Sequence, residues 1–245
     1  MYLFIIFFIL FKLVFLLSGP MRVLSIDVGL RNLAWCLLSR EVSSDEQWKI
    51  PPFHGNRVDI INWKVVDIVD HAGQKEINLN KTDIATIVPW FIQCLNDYQD
   101  ILGDAIDIAL IENQPAGHTV GGTNISNIKT KVLSHILQGF FVSRKIPVKF
   151  VSPANKLKDA GEFMSDVSKY SEHKKAAILL TSKCMTIMGS GFETMWKTFK
   201  GKKDDLADAF LQGVCSSLEP QKPKNTNKLN KRKRIALTLP VFEDE

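Results

Sequence analysis

Residues 106–111, IDIALI, form a short apolar run that stops abruptly at Glu112. The run is too short for a helix and reads as a strand buried on both faces, as in a parallel sheet. Parallel neighbours require crossover connections, usually helical, so this segment demands helices packed on a sheet. The downstream residues agree with that demand. Gly117, Gly121 and Gly122 mark a loop, and residues 125–143 carry helical spacing (Ile125, Ile128, Val132, Leu133, Ile136, Leu137, Phe140). Residues 147–151 (PVKFV) read as a further strand. Residues 171–188 read as a helix with Ser171 as its cap, residues 189–203 as a loop, and Asp204 opens a last helix that Glu219-Pro220 ends.

The segment upstream is built differently. Residues 22–28 (RVLSIDV) alternate and stop at Gly29, residues 33–39 (LAWCLLS) form a second run, and the four residues between them predict a hairpin. Residues 58–69 predict a third strand after a polar loop over 40–57. Residues 71–81 form a polar connection. Thr82 or Asp83 caps a helix reaching about Asn96, in which Pro89 predicts a kink or a late start. The order β-β-β-α-β-α-β-α-α is that of an α/β chain with a mixed sheet and helices on its faces.

Composition narrows the class. The chain has 245 residues, of which 45% are hydrophobic and 23% charged, so collagen-like and wholly disordered readings fail. Cys36, Cys94, Cys184 and Cys215 lie far apart with no CxxC pair, which excludes a zinc ribbon and a disulfide scaffold and fits a reducing, intracellular compartment. The net charge of +5 is unevenly placed. Residues 144–203 hold 13 basic and 5 acidic residues, and residues 221–234 add seven basic residues and no acid. Two basic stretches suggest an anionic partner, most simply a nucleic acid backbone. Residues 219–245 are expected to be a disordered basic tail. Residues 1–20 are almost wholly apolar, interrupted by Lys12. They are open to three readings: a translated leader upstream of Met21, a membrane anchor, or a secretory signal.

Four carboxylates stand at places unfavourable to charge. Asp27 interrupts an apolar strand, Glu112 ends the buried one, and Asp205 and Asp208 share a face at i, i+3 in the first turn of the last helix. Taken singly, each has an ordinary structural role open to it, as turn former, loop residue or helix cap. Together they suit hard divalent cations, which take oxygen ligands and clamp the attacking and leaving oxygens of a phosphodiester. Asp204 and Asp208, at i, i+4, offer an alternative register.

Three motifs carry a family resemblance: Ser25-Ile26-Asp27-Val28-Gly29-Leu30-Arg31-Asn32, Leu110-Ile111-Glu112-Asn113-Gln114-Pro115 and Lys202-Lys203-Asp204-Asp205-Leu206-Ala207-Asp208-Ala209. Over residues 21–218 the chain resembles the RNase H-like Holliday junction resolvases, nearest the poxvirus and large-DNA-virus branch, with RuvC and the fungal mitochondrial resolvases further off. The resemblance implies an RNase H-like mixed five-stranded sheet flanked by helices. It implies a homodimer that resolves four-way DNA junctions by paired nicks, leaving a 5′-phosphate and a 3′-hydroxyl. Asp27, Glu112, Asp205 and Asp208 are then the metal ligands, for two Mg²⁺ ions that Mn²⁺ can replace. Lys175 sits on the scissile phosphate with Lys174 as the neighbouring candidate. Lys156, Lys158, Lys174, Lys202 and Lys203 are the residues the resemblance implies for DNA contact. The compartment implied is a viral replication site or the host nucleus or mitochondrion. One fungal branch has taken up RNA splicing, so a non-catalytic splicing or packaging protein is the competing reading. A phosphotransferase of the actin and sugar-kinase type would need a second glycine-rich phosphate loop and a second domain, for which the chain is short. Part of a dimer surface is expected on the 125–143 helix with Phe140 and Phe141, although a core helix fits that segment equally.

Overall fold

The computed structural model describes residues 19–74, 77–103, 105–114, 117–120, 123–157 and 170–216. The apolar leader to residue 18 and the basic tail lie outside them, as does Lys158. Among the described residues no helix is long and apolar enough to cross a membrane.

Alternation along β1 (Met21–Val28) sends Leu24, Ile26 and Val28 to one core and Val23 to the other. The chain turns back as β2 (Asn32–Val42), antiparallel to β1, and β3 (Asn56–Asp67) pairs antiparallel with β2. After the first helices, β4 (Ile108–Glu112) enters parallel to β1, with Ile26 opposite Ile111. A small separate hairpin comes next, β5 (Gly117–Val120) with β6 (Thr123–Ser126), and then β7 (Val148–Val151) lies parallel to β4. The five-stranded sheet has the order β3-β2-β1-β4-β7.

Helices cover both faces. The short α1 (Glu46–Lys49) and α2 (Ile68–His71) sit in the connections flanking β3. On the first face α3 (Ile84–Asp97), followed by α4 (Gln99–Gly103), and α5 (Ile128–Ser143) place Ile87, Phe91, Leu95, Leu133, Leu137 and Phe141 over Leu24, Ile26, Trp35 and Ile111. On the second face α6 (Tyr170–Met188), α7 (Ser190–Thr198) and α8 (Lys203–Cys215) bring Leu180, Trp196, Leu206, Phe210 and Val214 over Val23, Cys36, Leu38 and Leu110.

α8 comes unusually close to the sheet. A Cβ on Gly213 would stand 2.6 Å from Leu38 Cδ1 and 3.1 Å from Ser25 Cβ, so the close approach depends on glycine. The buried Arg40 of β2 donates to the carbonyls of Gly213 at 2.8 Å and Ser216 at 3.1 Å, which satisfies acceptors left over at the helix C-terminus.

The structure departs from the sequence reading in several places. Residues 117–120 and 123–126 pair as strands β5 and β6, where a loop and the start of a helix were expected, so α5 starts at Ile128 and not at 125. α3 starts at Ile84, ahead of Pro89, which lies inside it, and Asp83 is its cap, accepting from the Ala85 N–H at 2.9 Å. α6 opens at Tyr170, which makes Ser171 its second residue and not its cap. The 40–57 loop contains a β2 extension and α1, and buries Trp48 against Phe53, edge to face at 4.9 Å. The largest miss is α7, expected to be loop. Gly189 at φ 116° breaks the chain between α6 and α7, and the Gly-Ser-Gly run after Met188 hides the helix beyond it. Trp196 holds α7 in place by stacking on Trp63 of β3, with centroids 5.4 Å apart and planes within 8°. Phe141, expected at a dimer surface, is fully buried core.

Gly213→Ala forces α8 off the sheet. A loss of about 1–3 kcal/mol is expected from overpacking, or a melting point lower by about 2–10 °C, checked by thermal denaturation monitored by circular dichroism.

Candidate active site

Strand parity selects the face. Asp27 lies two residues beyond Ser25 and four beyond Val23, and Glu112 two beyond Leu110, so both carboxylates fall on the α8 side of the sheet. The Ile26–Ile111 register brings them side by side at the C-terminal ends of two parallel strands. That is where sites gather in open α/β sheets.

α8 supplies the other two acids. Its anchor is Gln212, four residues past Asp208 and fully buried. The Gln212 Nε2 donates to the carbonyls of Ile26 and Leu110, each at 3.1 Å. These carbonyls lie one residue before Asp27 and two before Glu112. A single side-chain amide therefore ties the helix with Asp205 and Asp208 to both strands that carry the partner carboxylates.

The β1–β2 turn completes the cleft. The Gly29 N–H donates to the Asn32 carbonyl at 2.9 Å, and a Cβ at Gly29 would fall 2.8 Å from that oxygen. This tight turn aims Asn32 at α8, where its Nδ2 donates to Asp205 Oδ2 at 2.8 Å. Lys202 Nζ reaches the same oxygen at 3.3 Å. Asp27, Gly29, Leu30, Arg31, Asn32, Lys202 and Asp205 line one open cleft. Gln114 Nε2 stands 3.4 Å from Glu112 Oε1 and orients it from the other side.

Burial raises the proton affinity of two of the acids, Asp27 and Asp208. Asp27 is pushed up to about 6 by burial, with Glu112 and Asp205 adding to it and Lys156 and Lys174 opposing. Asp208 is also pushed up to about 6 by burial, with Asp27 and Asp205 adding and the same two lysines opposing. Asp204 is different. Its burial is outweighed by the Lys174 ammonium, 2.5 Å away, and its pKa is held below the usual range. Asp205, and not Asp204, lines the cleft with Asp27.

The lysines do not all lie where the sequence reading put them. Lys156, expected to touch DNA, is 5% exposed; it donates to Glu112 Oε2, with its Nζ 3.6 Å from Asp208 Oδ2. Burial weakens that ammonium, but Asp27, Asp208 and Glu112 outweigh it and raise its pKa. Lys175, expected on the phosphate, is exposed, and it is Lys174 whose charge is felt by Asp27 and Asp208. Lys202 is exposed at the cleft lip, and Lys203 Nζ stands 5.3 Å over the Trp196 ring. Asn32 and Gln212 had no assigned role in the sequence reading. A polar residue closing a tight turn beside Asp27, and a glutamine in an apolar helical stretch, were the available signals.

The four carboxylates fit a hard divalent ion in kind, since every donor is an oxygen. As arranged, no three His, Cys, Asp or Glu side chains among the described residues close on one point, and the Lys156 ammonium stands between Glu112 and Asp208.

Comparison with known proteins bears on the fold. The family model for mitochondrial resolvase Ydc2 and the RNA splicing protein MRS1 matches residues 23–143, from β1 through α5. The crystal structure of the yeast mitochondrial Holliday junction resolvase Ydc2 is similar over 81% of this chain and 80% of that one, with 17% identity and a TM-score of 0.50. Thermus thermophilus RuvC, in complex with a Holliday junction substrate and in a second structure, covers 80% of this chain and 92% of its own at 12% identity, with TM-scores of 0.49 and 0.48. No curated protein sequence matches. The likeness to Ydc2 establishes the fold as the RNase H-like one, a mixed five-stranded sheet flanked by helices.

Folded Asp208 keeps its proton to about pH 6, whereas an unfolded aspartate releases it near 3.8. Between those values the folded state binds more protons, so this residue's contribution to stability falls as pH rises through the window. In EDTA, Asp208→Asn is expected to match wild type near pH 3.5 and to exceed it by about 1–3 kcal/mol at pH 7.5. Paired urea titrations at the two pH values check this.

Proposed function

We propose that this protein is a metal-dependent, structure-specific endodeoxyribonuclease that resolves four-way DNA junctions by paired nicks. The observation that carries the reading is the meeting of Asp27, Glu112, Asp205 and Asp208 on one face of the sheet, from three elements far apart in sequence. The matched family model and the similar resolvase structure support it. A non-catalytic nucleic-acid binder gains nothing from acids such as Asp27 and Asp208, whose burial and neighbouring carboxylates disfavour the charged state.

Asp27, Glu112, Asp205 and Asp208 would hold the divalent ions, Mg²⁺ or Mn²⁺, expected at two per site. When bound, such ions activate a water and neutralise charge on the phosphoryl oxygens. The rest is done by the chain's own side chains. Asn32 fixes the Asp205 carboxylate by a hydrogen bond, so this ligand is oriented before substrate arrives. Gln212 fixes the spacing between helix and strands. Lys174 faces the site from α6 and is the better candidate for the scissile phosphate, with Lys175 outward on the same helix as a backbone contact. Lys202 at the cleft lip, with Lys203 and Lys158, adds non-specific phosphate affinity that weakens with salt. Selectivity for junctions comes from the shape of the arms and from a homodimer that presents one site to each of two strands. Of the compartments expected, the mitochondrion is the one the matched family supports.

A labelled synthetic four-way junction incubated with the protein in Mg²⁺ should yield symmetric nicks, with none in EDTA and none on linear duplex. Asp27→Asn should lower the rate by at least about 10³-fold while junction binding persists. Equal cutting by Asp27→Asn overturns the assignment. Binding without cutting by wild type transfers the protein to the splicing or packaging class.

A further inference from the structure

We propose that Lys156 is the resident counter-ion of the carboxylate cluster, and that a divalent cation binds only by displacing its ammonium from Glu112 and Asp208. This rests on the metal-dependent reading above.

In sequence Lys156 looks like a surface lysine, since it sits in a basic strand-exit segment, Ser152-Pro153-Ala154-Asn155-Lys156-Leu157-Lys158. The structure turns it inward. Its side chain is 7% exposed, donates to Glu112 Oε2 and lies 3.6 Å from Asp208 Oδ2. The backbone around it is pinned. Lys156 N–H donates to the Pro153 carbonyl at 3.3 Å, closing the short 3-10 turn Pro153–Asn155, and the Lys156 carbonyl faces the Cys215 Sγ at 3.5 Å, at the end of α8. The segment is thus docked on the same helix that carries Asp208.

A buried ammonium persists only where carboxylates compensate it, and a cluster of buried carboxylates persists only where a cation compensates them. Lys156 meets both requirements at once. In doing so it occupies lone pairs on Glu112 and Asp208 that a hard divalent ion would need. Lys202 and Lys174 do not compete in this way. Lys202 pairs with one tetrad oxygen, Asp205 Oδ2 at 3.3 Å, but from a side chain 56% exposed at the lip that can swing into solvent, and Lys174 hydrogen-bonds Asp204, outside the tetrad. The four acids do not close on a common point in the presence of this ammonium, as expected if lysine and metal are alternative occupants.

The test uses the full chain as wild type, Lys156→Met, Lys156→Gln and Lys156→Arg. Two quantities are read: MgCl₂ affinity by isothermal titration, and melting temperature in EDTA against saturating MgCl₂. Lys156→Met and Lys156→Gln should melt lower than wild type in EDTA, show a larger Mg²⁺-induced rise, and bind Mg²⁺ at least fivefold more tightly. Lys156→Arg should bind no more tightly than wild type. If Lys156→Met does not fold in EDTA, Lys156→Gln, which keeps a donor for Glu112, carries the comparison in Mg²⁺. Unchanged or weaker Mg²⁺ affinity in both neutral variants overturns the proposal, including the case where they lose only junction affinity. Wild type and both variants all failing to bind Mg²⁺ or Mn²⁺ overturns the metal-dependent reading itself, and this proposal with it.

Discussion

The site depends on one backbone pairing, the parallel register that sets Ile26 opposite Ile111. Asp27 and Glu112 are 85 positions apart in the chain (112 − 27), and only this pairing makes them neighbours. A shift of one residue in either strand would send its carboxylate to the opposite face, into the α3–α5 core. The register is held by burial on both sides. Leu24, Ile26, Ala109 and Ile111 pack one way, and Val23 and Leu110 the other. The Gln212 amide then reads the register directly, because its two donors reach a carbonyl on each strand. Gly213 beside it removes the side chain that would keep α8 too far away for that contact. Fold and site share the same two residues of α8.

The site also opposes the fold. Burial and mutual repulsion raise the proton affinity of Asp27 and Asp208, so each ionised acid weakens the folded state. The surrounding contacts limit this without removing it. Asn32 and Lys202 hold Asp205, Lys174 takes up Asp204, and Lys156 faces Glu112 and Asp208. Preorganised charge at a reactive centre is commonly kept in this way, by neighbours that over-determine it.

Much of this was legible in the chain. The opening hairpin, the third strand, the strand after Asp107 and the last helix come from alternation, turn residues and helical spacing, all local signals. The strand-Asp, strand-Glu, helix-Asp-pair order placed the tetrad on the elements where it is found. The features that were not legible depend on tertiary partners. α7 is held against β3 by Trp196 stacking on Trp63 on the same face of the sheet, and its Gly-rich start contains no hint of that. Lys174 and Lys175 are adjacent and chemically equivalent in sequence, and only the rotation of α6 decides which one faces the acids. Lys156 reads as solvated because its burial is set by α8, some fifty residues further on.

The uneven charge along the chain takes on a meaning in the fold. The first 143 residues carry more acids than bases, and residues 144–203 carry a strong basic excess. In sequence this looks like an acidic body with a basic appendage. In space the two meet on one face of the sheet. Asp27 and Glu112 come from the acidic half, and Lys156, Lys174 and Lys202 from the basic half. α8, at the boundary, contributes both Asp205 and Asp208 and the packing that closes the seam. Carboxylates gathered this closely in a partly buried place repel one another. Cations from a separate segment offset them at two depths, Lys156 buried between Glu112 and Asp208 and Lys202 exposed at the lip beside Asp205.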